Sequence, residues 1–167
     1  MHPLILALFD DPASAAAAAR DLRALGIPRE RVSVVARSHE EEGALADATG
    51  ASPGSEIEDS ATASRLGELG GHLLAAIALV LPGVGPIVAD GPLAAELGEA
   101  AGHVAGGIAR ALRQAGLERD EADRWQQSIE GGAILVGAHV DEAAVPAVQS
   151  VFGRNRAVST ARATWDD

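Results

Sequence analysis

The predicted fold depends on residues 4–37, which read LILALFDDPASAAAAARDLRALGIPRERVSVVAR. The run at 4–9 is short and apolar and ends at a carboxylate, which is typical of a buried strand. Asp11 then provides an N-cap for an alanine-rich helix, whose first residue, Pro12, has no amide proton to leave unpaired. A glycine ends this helix, and the β-branched residues of 31–37 predict a second strand. The stretch therefore predicts a βαβ unit.

A similar unit closes the sequence. Residues 133–140 are apolar and predict a strand, Asp141 follows as the cap of a short helix, and 158–165 alternate in polarity like a partly exposed strand. Ahead of this unit, residues 118–129 predict a helix whose buried face contains Ala122, Trp125 and Ile129. Two βαβ units predict an α+β fold of the ferredoxin-like type, a split βαβ sandwich with an antiparallel sheet and helices on one face.

The chain divides by composition into four segments of one composite domain. Residues 1–37 are the first βαβ half, and 115–167 contain a helix followed by the second half. Residues 38–61 contain seven carboxylates and no arginine, which predicts a solvated, flexible acidic linker. Residues 62–114 are rich in glycine and alanine, and we expect them to form an inserted helical hairpin.

The predicted hairpin has an apolar first arm and a proline-rich turn. Residues 69–89 contain no formally charged side chain, but the sequence PGVGP at 82–86 interrupts them, so two antiparallel helices are favoured over a membrane span. The second helix is expected to run from the Asp-Gly-Pro sequence at 90–92 to about Arg113. Small residues recur at every fourth position on both arms, as in a glycine zipper. This predicted interaction seam contains Ala63, Gly67, Gly71, Ala75, Ala94, Gly98, Gly102 and Gly106.

The composition excludes several classes of function. A net charge of −11 with no lysine argues against a nucleic-acid partner, because phosphate binding requires a basic surface. The absence of cysteine removes thiolate nucleophiles and cysteine metal sites. The sequence contains no G-x-G-x-x-G motif, and we expect no enzymatic activity. The N-terminus has no basic region ahead of its apolar run, and a cytoplasmic location is expected.

The sequence contains five histidines, which are candidate ligands. His72 and His103 each follow a seam glycine and fall at a similar height on the two predicted arms, where two imidazoles on one side can bind a metal or a haem iron. The alternative is that both are packed, hydrogen-bonded histidines, as at a dimer contact. We expect His2 and His39 to be solvated, and His139 to be a packed or an edge histidine on its strand.

Three stretches resemble one protein family. They are ALFDDPASAAAAARDL with VSVVAR (7–22 and 32–37), LPGVGPIVADGPLAAEL (81–97) and GLERDEADRWQQSIEGGAILV (116–136). They are similar to the start, the glycine-rich middle and the helix–glycine–strand return of bacterial general stress (heat-induced stress) proteins. The resemblance implies induction by heat or other stress, a ferredoxin-like core and no catalytic residues.

Three functions follow as expectations. The first is a non-enzymatic stress-response protein that acts as an interaction module, as a homodimer that uses a sheet edge or the hairpin. The second is a haem- or metal-binding stress protein that uses His72 and His103. The third is a peripheral membrane-associated protein whose hairpin enters lipid, which the acidic flanks disfavour because anionic lipid repels them.

Overall fold

The fold is described from a computed structural model. It describes residues 1–37, 77–81, 85–101 and 107–165. The strands and helices of these residues, in chain order, are β1 (His2–Phe9), α1 (Pro12–Ala24), β2 (Val32–Arg37), β3 (Ile77–Leu81), β4 (Gly85–Asp90), α2 (Pro92–Ala101), α3 (Ile108–Gln114), α4 (Arg119–Glu130), β5 (Ile134–His139), α5 (Val145–Arg154) and β6 (Ser159–Trp165).

The strands form one antiparallel sheet in the order β3-β4-β2-β5-β1-β6. β5 lies between the two strands of the first βαβ unit, and β1 lies between the two strands of the second. Helices pack on this sheet, so the predicted α+β class is confirmed.

Helices cover both faces of the sheet, and the expectation of helices on one face is wrong. Alternate residues of β1 enter two separate cores. Ile5, Ala7 and Phe9 pack with α1 and α5, whereas Leu4, Leu6 and Leu8 pack with α2, α3 and α4. We call these two sides the α1/α5 face and the α2/α3/α4 face. Because both faces are buried, β1 reads as a continuous apolar run and not as an alternating one.

The local signals of α1 and α4 are confirmed. The Asp11 carboxylate accepts a hydrogen bond of 2.8 Å from the Ser14 amide, and Pro12 is the first residue of α1. Gly26, with a φ of +86°, follows the end of that helix. In α4 the predicted residues Ala122, Trp125 and Ile129 form the buried side.

Residues 77–81 and 85–90 are strands, which corrects the helical interpretation of this part of the hairpin. β4 pairs with β2 through Val34↔Asp90 to Arg37↔Ile87, and β3 pairs with β4. A short apolar run fits a buried strand and a buried helix equally well in sequence. Residues 85–90 form a strand here because they pair with the edge of β2, where Ile87 and Ala89 are buried. The predicted break at 82–86 overlaps β4, which begins at Gly85, and residues 82–84 lie outside the described part of the chain.

The second predicted arm is two helices, α2 and α3, and not one. α3 starts after Gly107, whose φ of −99° and ψ of −171° are extended and interrupt the helical path. Within the residues that the structure describes, no helix is both long and apolar enough to cross a bilayer. The acidic linker at 38–61 and the first arm at 62–76 lie outside the described residues.

Candidate functional site

Most of the predicted site residues lie outside the described part of the chain. These are Ala63, Gly67, Gly71, Ala75, Gly102 and Gly106 of the seam, together with His72 and His103. The structure places Ala94 and Gly98 on α2, and Ala94 is buried in the α2/α3/α4 face. The pairing of two seam arms and the proposed histidine ligands therefore remain predictions.

The structure brings together a polar cluster that the sequence did not reveal as a unit. His2 at the start of β1 and His139 at the end of β5 are hydrogen-bonded, with 3.1 Å between His2 Nε2 and His139 Nδ1. The other ring nitrogen of His139, Nε2, lies 3.5 Å from Ser33 Oγ on β2, which is a long contact. Ser33 and His139 are the buried polar residues of this cluster, at 0% and 2% exposure.

Trp165 packs against one side of the cluster. Its ring packs edge-on against the His139 imidazole, with 4.8 Å between ring centroids and an interplanar angle of 89°. His2 is the register partner of Trp165 across β1 and β6, and it is half-buried. The packed interpretation of His139 is confirmed, whereas the expectation that His2 is simply solvated is wrong.

Ser33 caps helix α2 from another element. Its Oγ accepts a hydrogen bond of 3.1 Å from the Leu93 amide, in the first turn of α2. The residue before that turn is Gly91, which has a φ of +80° and no side chain that can cap the helix. A Cβ at Gly91 would lie 2.2 Å from the Val32 carbonyl oxygen, so only glycine lets the backbone approach β2 closely enough for this cap.

Helix α3 is capped in the same way. Gln126 of α4 accepts a hydrogen bond of 2.9 Å at Oε1 from the Ala109 amide in the first turn of α3. Gly107 precedes the helix, and a Cβ there would meet Gln126 Oε1 at 2.5 Å. Gln126 Nε2 also donates to Glu130, which holds the amide in this orientation. Two helices on the same face therefore begin at a glycine and take their cap from a distant side chain.

The chemistry of the cluster is that of buried hydrogen bonds. Because Ser33 Oγ accepts the Leu93 N–H, its own proton can be directed to His139 Nε2, and His139 Nδ1 can then donate to His2. The Ser33 hydroxyl is fully buried beneath the start of α2, which separates it from any substrate in solvent. In the described part of the chain, no group of three or more His, Asp or Glu side chains is arranged to hold a metal ion.

Sequence reasoning missed this cluster because its members lie far apart along the chain. Ser33 and His139 are separated by 106 positions, and His2 and His139 by 137. The available signal was the strand period of two, which places His2 on the same side of β1 as Leu4 and Leu6. That signal does not say which strand lies next to β1.

The chain was compared with known proteins at three levels. No protein-family model, no curated protein and no solved structure matches it. The functional interpretation therefore depends on the residues and geometry of this chain.

Proposed function

We propose that this chain is a non-enzymatic, cytoplasmic stress-response protein that works as a homo-oligomeric interaction module, and that two copies associate through strand β3. The resemblance of residues 7–22, 81–97 and 116–136 to general stress proteins supports the stress role. The position of β3 at one edge of the sheet supports the mode of association.

We also propose that β6, β1, β5 and β2, together with α1 and α5, are a ferredoxin-like split βαβ core. The interleaved order of these four strands supports this interpretation, because each βαβ unit then has a strand of the other unit between its own two strands. In this view β3, β4, α2 and α3 are additions to the core. They extend the sheet beyond β2 and cover its second face.

The single observation that carries the association is the difference between the two edges of the sheet. β3 reads IALVL, without a charge, a proline or a glycine. Edge strands of this composition pair with other chains unless something blocks them. β6 at the opposite edge contains Arg162, which is bonded to Glu142 at 2.7 Å. A hydrogen-bonding group on the outer edge of β6 is also already paired, because the Thr164 amide donates to the Ala115 carbonyl at 2.9 Å.

The residue pattern of β3 favours a second copy of the same strand as its partner. Antiparallel pairing about a two-fold axis at Leu79 sets Ile77 opposite Leu81 and Ala78 opposite Val80. Large apolar residues then meet large ones at one set of positions and smaller ones meet at the other, so the strand is complementary to itself. An uncharged strand edge has no charged side chains with which a charged partner could form ion pairs.

The proposal is tested by measuring the mass of the full-length protein in solution by light scattering after gel filtration. We expect wild type to have twice the mass of one chain. Leu79→Lys and Ala78→Lys, which place a charge at neighbouring positions of β3, should each give monomers, while Thr160→Lys on β6 stays dimeric. Circular dichroism and thermal melting identify any variant that fails to fold. A monomeric wild type, or dissociation caused by the β6 change alone, would overturn the proposal.

A further inference from the structure

Three connections of this fold join parallel strands, and each of them passes one strand that lies between. β5 lies between β1 and β2, β1 lies between β5 and β6, and β4 lies between β2 and β3. Since each intervening strand is antiparallel to both of its neighbours, the two strands of each pair run in the same direction. Parallel strands cannot be joined by a tight hairpin, so each connection crosses one face of the sheet.

The first two connections cross the α1/α5 face. α1 joins β1 to β2, and α5 joins β5 to β6. The step from β2 to β3 repeats the step from β1 to β2, because both move in the same direction along the strand order between strands of the same direction. A crossover of the same hand therefore lies on the same face as α1, and crossovers of this kind share one hand in about 98% of cases.

The opposite face of the outer strands is already covered. Of the helices that the structure describes, α2 is the one that packs on β3 and β4, and it lies on the α2/α3/α4 face. Ile87 and Ala89 of β4 belong to the core beneath this helix. The Ser33 hydroxyl of β2 holds the first turn of α2 in place. A connection from β2 to β3 on this side would have to displace α2, which leaves the α1/α5 side for the crossover.

The strand register extends the apolar surface of the α1/α5 face onto β4 and β3. Ala36, which belongs to the core of that face and is 3% exposed, is the register partner of Val88, and Val88 is the partner of Ala78. Positions that lie opposite each other in an antiparallel pair share a face, so these three form one apolar row. Pro86 and Val80 form the next row on the same side. These rows are an apolar surface on the side that the crossover should take.

We propose that the first arm, residues 62–76, docks on the α1/α5 side of β4 and β3 as the crossover from β2 to β3. The arm ends immediately before β3 and contains Leu66, Leu69 and Leu73, at the three- and four-residue spacing of one helical stripe. A helix of 62–76 would extend about 22 Å, and a strand as long as β4 extends about 20 Å. The arm therefore has the apolar stripe and the length needed to cover β4 from end to end.

The covalent link to β3 favours this arm over a second copy of the chain as the occupant. Because residue 76 is bonded to the first residue of β3, the arm is present at this surface at a high effective concentration, against which any separate molecule must compete. Docking on the face leaves the backbone edge of β3 unchanged. The inference therefore does not depend on the proposed association through that edge, and Leu79→Lys should not affect it.

The test is the broadening of amide NMR signals in the full-length protein by a nitroxide attached at Glu68→Cys, in the middle of the arm. The chain has no cysteine of its own, so the label is confined to that position. We expect strong broadening in α1, on the same face, and weak broadening in α2, on the other side of the sheet. A nitroxide at Asp123→Cys, an exposed position of α4, is the matched control and should broaden α3 but not α1. Broadening of α2 in place of α1 by the Glu68→Cys label would overturn the proposal.

Two further samples identify the occupant and the side chains that hold it. When nitroxide-labelled protein without isotope is mixed with isotope-labelled protein without nitroxide, the α1 signals should stay sharp. Broadening in the mixture would place the arm of a second copy on this surface and contradict the proposal. Adding Leu69→Asp to the labelled chain should restore sharp α1 signals, whereas Ser64→Asp should leave them broadened. Broadening that persists with Leu69→Asp would show that the leucine stripe does not hold the arm.

Discussion

Three helices on the two faces of the sheet, α1 on one and α2 and α3 on the other, begin in different ways. On the α1/α5 face, α1 is capped by its own preceding residue, Asp11, which reaches the Ser14 amide three positions on. On the α2/α3/α4 face, α2 and α3 begin at glycines, and their first-turn amides bond to Ser33 and Gln126 from other elements. A helix of the first kind carries its start signal in its sequence, whereas a helix of the second kind acquires it only when the sheet is assembled.

This difference bears on the proposed association edge. α2 packs against β3 and β4 as well as β2, so the helix that depends on Ser33 also supports the outer hairpin of the sheet. Changes that weaken the start of α2 are therefore expected to disturb β3 more than changes at α1 do. Four substitutions, taken in order of decreasing effect, can break or sharpen the comparison of the two faces.

Gly91→Ala should have the largest effect. The added Cβ would lie 2.2 Å from Val32 O and 2.7 Å from Ser33 Cα. Both are backbone atoms of β2, which cannot move without disturbing the sheet. We expect a loss of about 3 kcal/mol or more in the free energy of unfolding, measured by urea denaturation. Gly26→Ala is the matched control, because Gly26 has a similar φ of +86° but nothing within 4 Å of the new Cβ. Gly26→Ala should lower the free energy of unfolding only by the backbone strain of a left-handed alanine, about 1–2 kcal/mol. Equal losses would show that the approach to β2 does not matter.

Ser33→Ala should have the next largest effect. It leaves the Leu93 amide buried without its acceptor, and we expect a loss of about 1–3 kcal/mol in urea denaturation. Ser128→Ala is its control, because the Ser128 hydroxyl bonds to the Arg124 carbonyl at the exposed surface of α4. That change should stay within about 0.5 kcal/mol of wild type. A neutral Ser33→Ala would mean that α2 does not depend on this cap.

Gln126→Met should destabilise the protein by about 1 kcal/mol, because it removes the cap of α3 while keeping a side chain of similar length. Gln127→Met, at the exposed neighbouring position, is the control for helix propensity and should be nearly neutral. The measurement is again urea denaturation. If the two methionine variants are indistinguishable, the Gln126 bond to Ala109 contributes nothing to stability.

Asp11→Asn should have the smallest effect, and it should depend on pH. Hydrogen bonds from Ser14, first from its backbone amide, lower the pKa of the exposed Asp11 carboxyl from its ordinary value of 3.8. A lowered pKa in the folded state means that the stability from this carboxylate is present above the ordinary value and is lost as the pH falls through the folded one. The melting temperatures of wild type and Asp11→Asn should therefore converge in acid. A difference that persists at the lowest pH would contradict this.

The sequence predicted the elements whose signals lie within a few neighbouring residues, and it did not predict those that depend on contacts between distant segments. α1 and α4 were predictable because Asp11, Pro12 and the Ala122–Trp125–Ile129 spacing are signals within one or two helical turns. β3 and β4 were not, since an uncharged apolar run fits a helix as well as a strand until β2 offers an edge. The Ser33–His139–His2 cluster depends on strand register between distant segments, which no local pattern specifies.

The central claim is that α2 is capped by another element and α1 by its own preceding residue, and native-state hydrogen exchange of the full-length protein tests it most directly. We expect Ser33→Ala to accelerate exchange at the Leu93 amide and to leave the Ser14 amide unchanged, while Asp11→Ala, which removes the cap of α1, does the reverse. Unchanged protection of Leu93 in Ser33→Ala, or an equal acceleration at both amides in either variant, would contradict it.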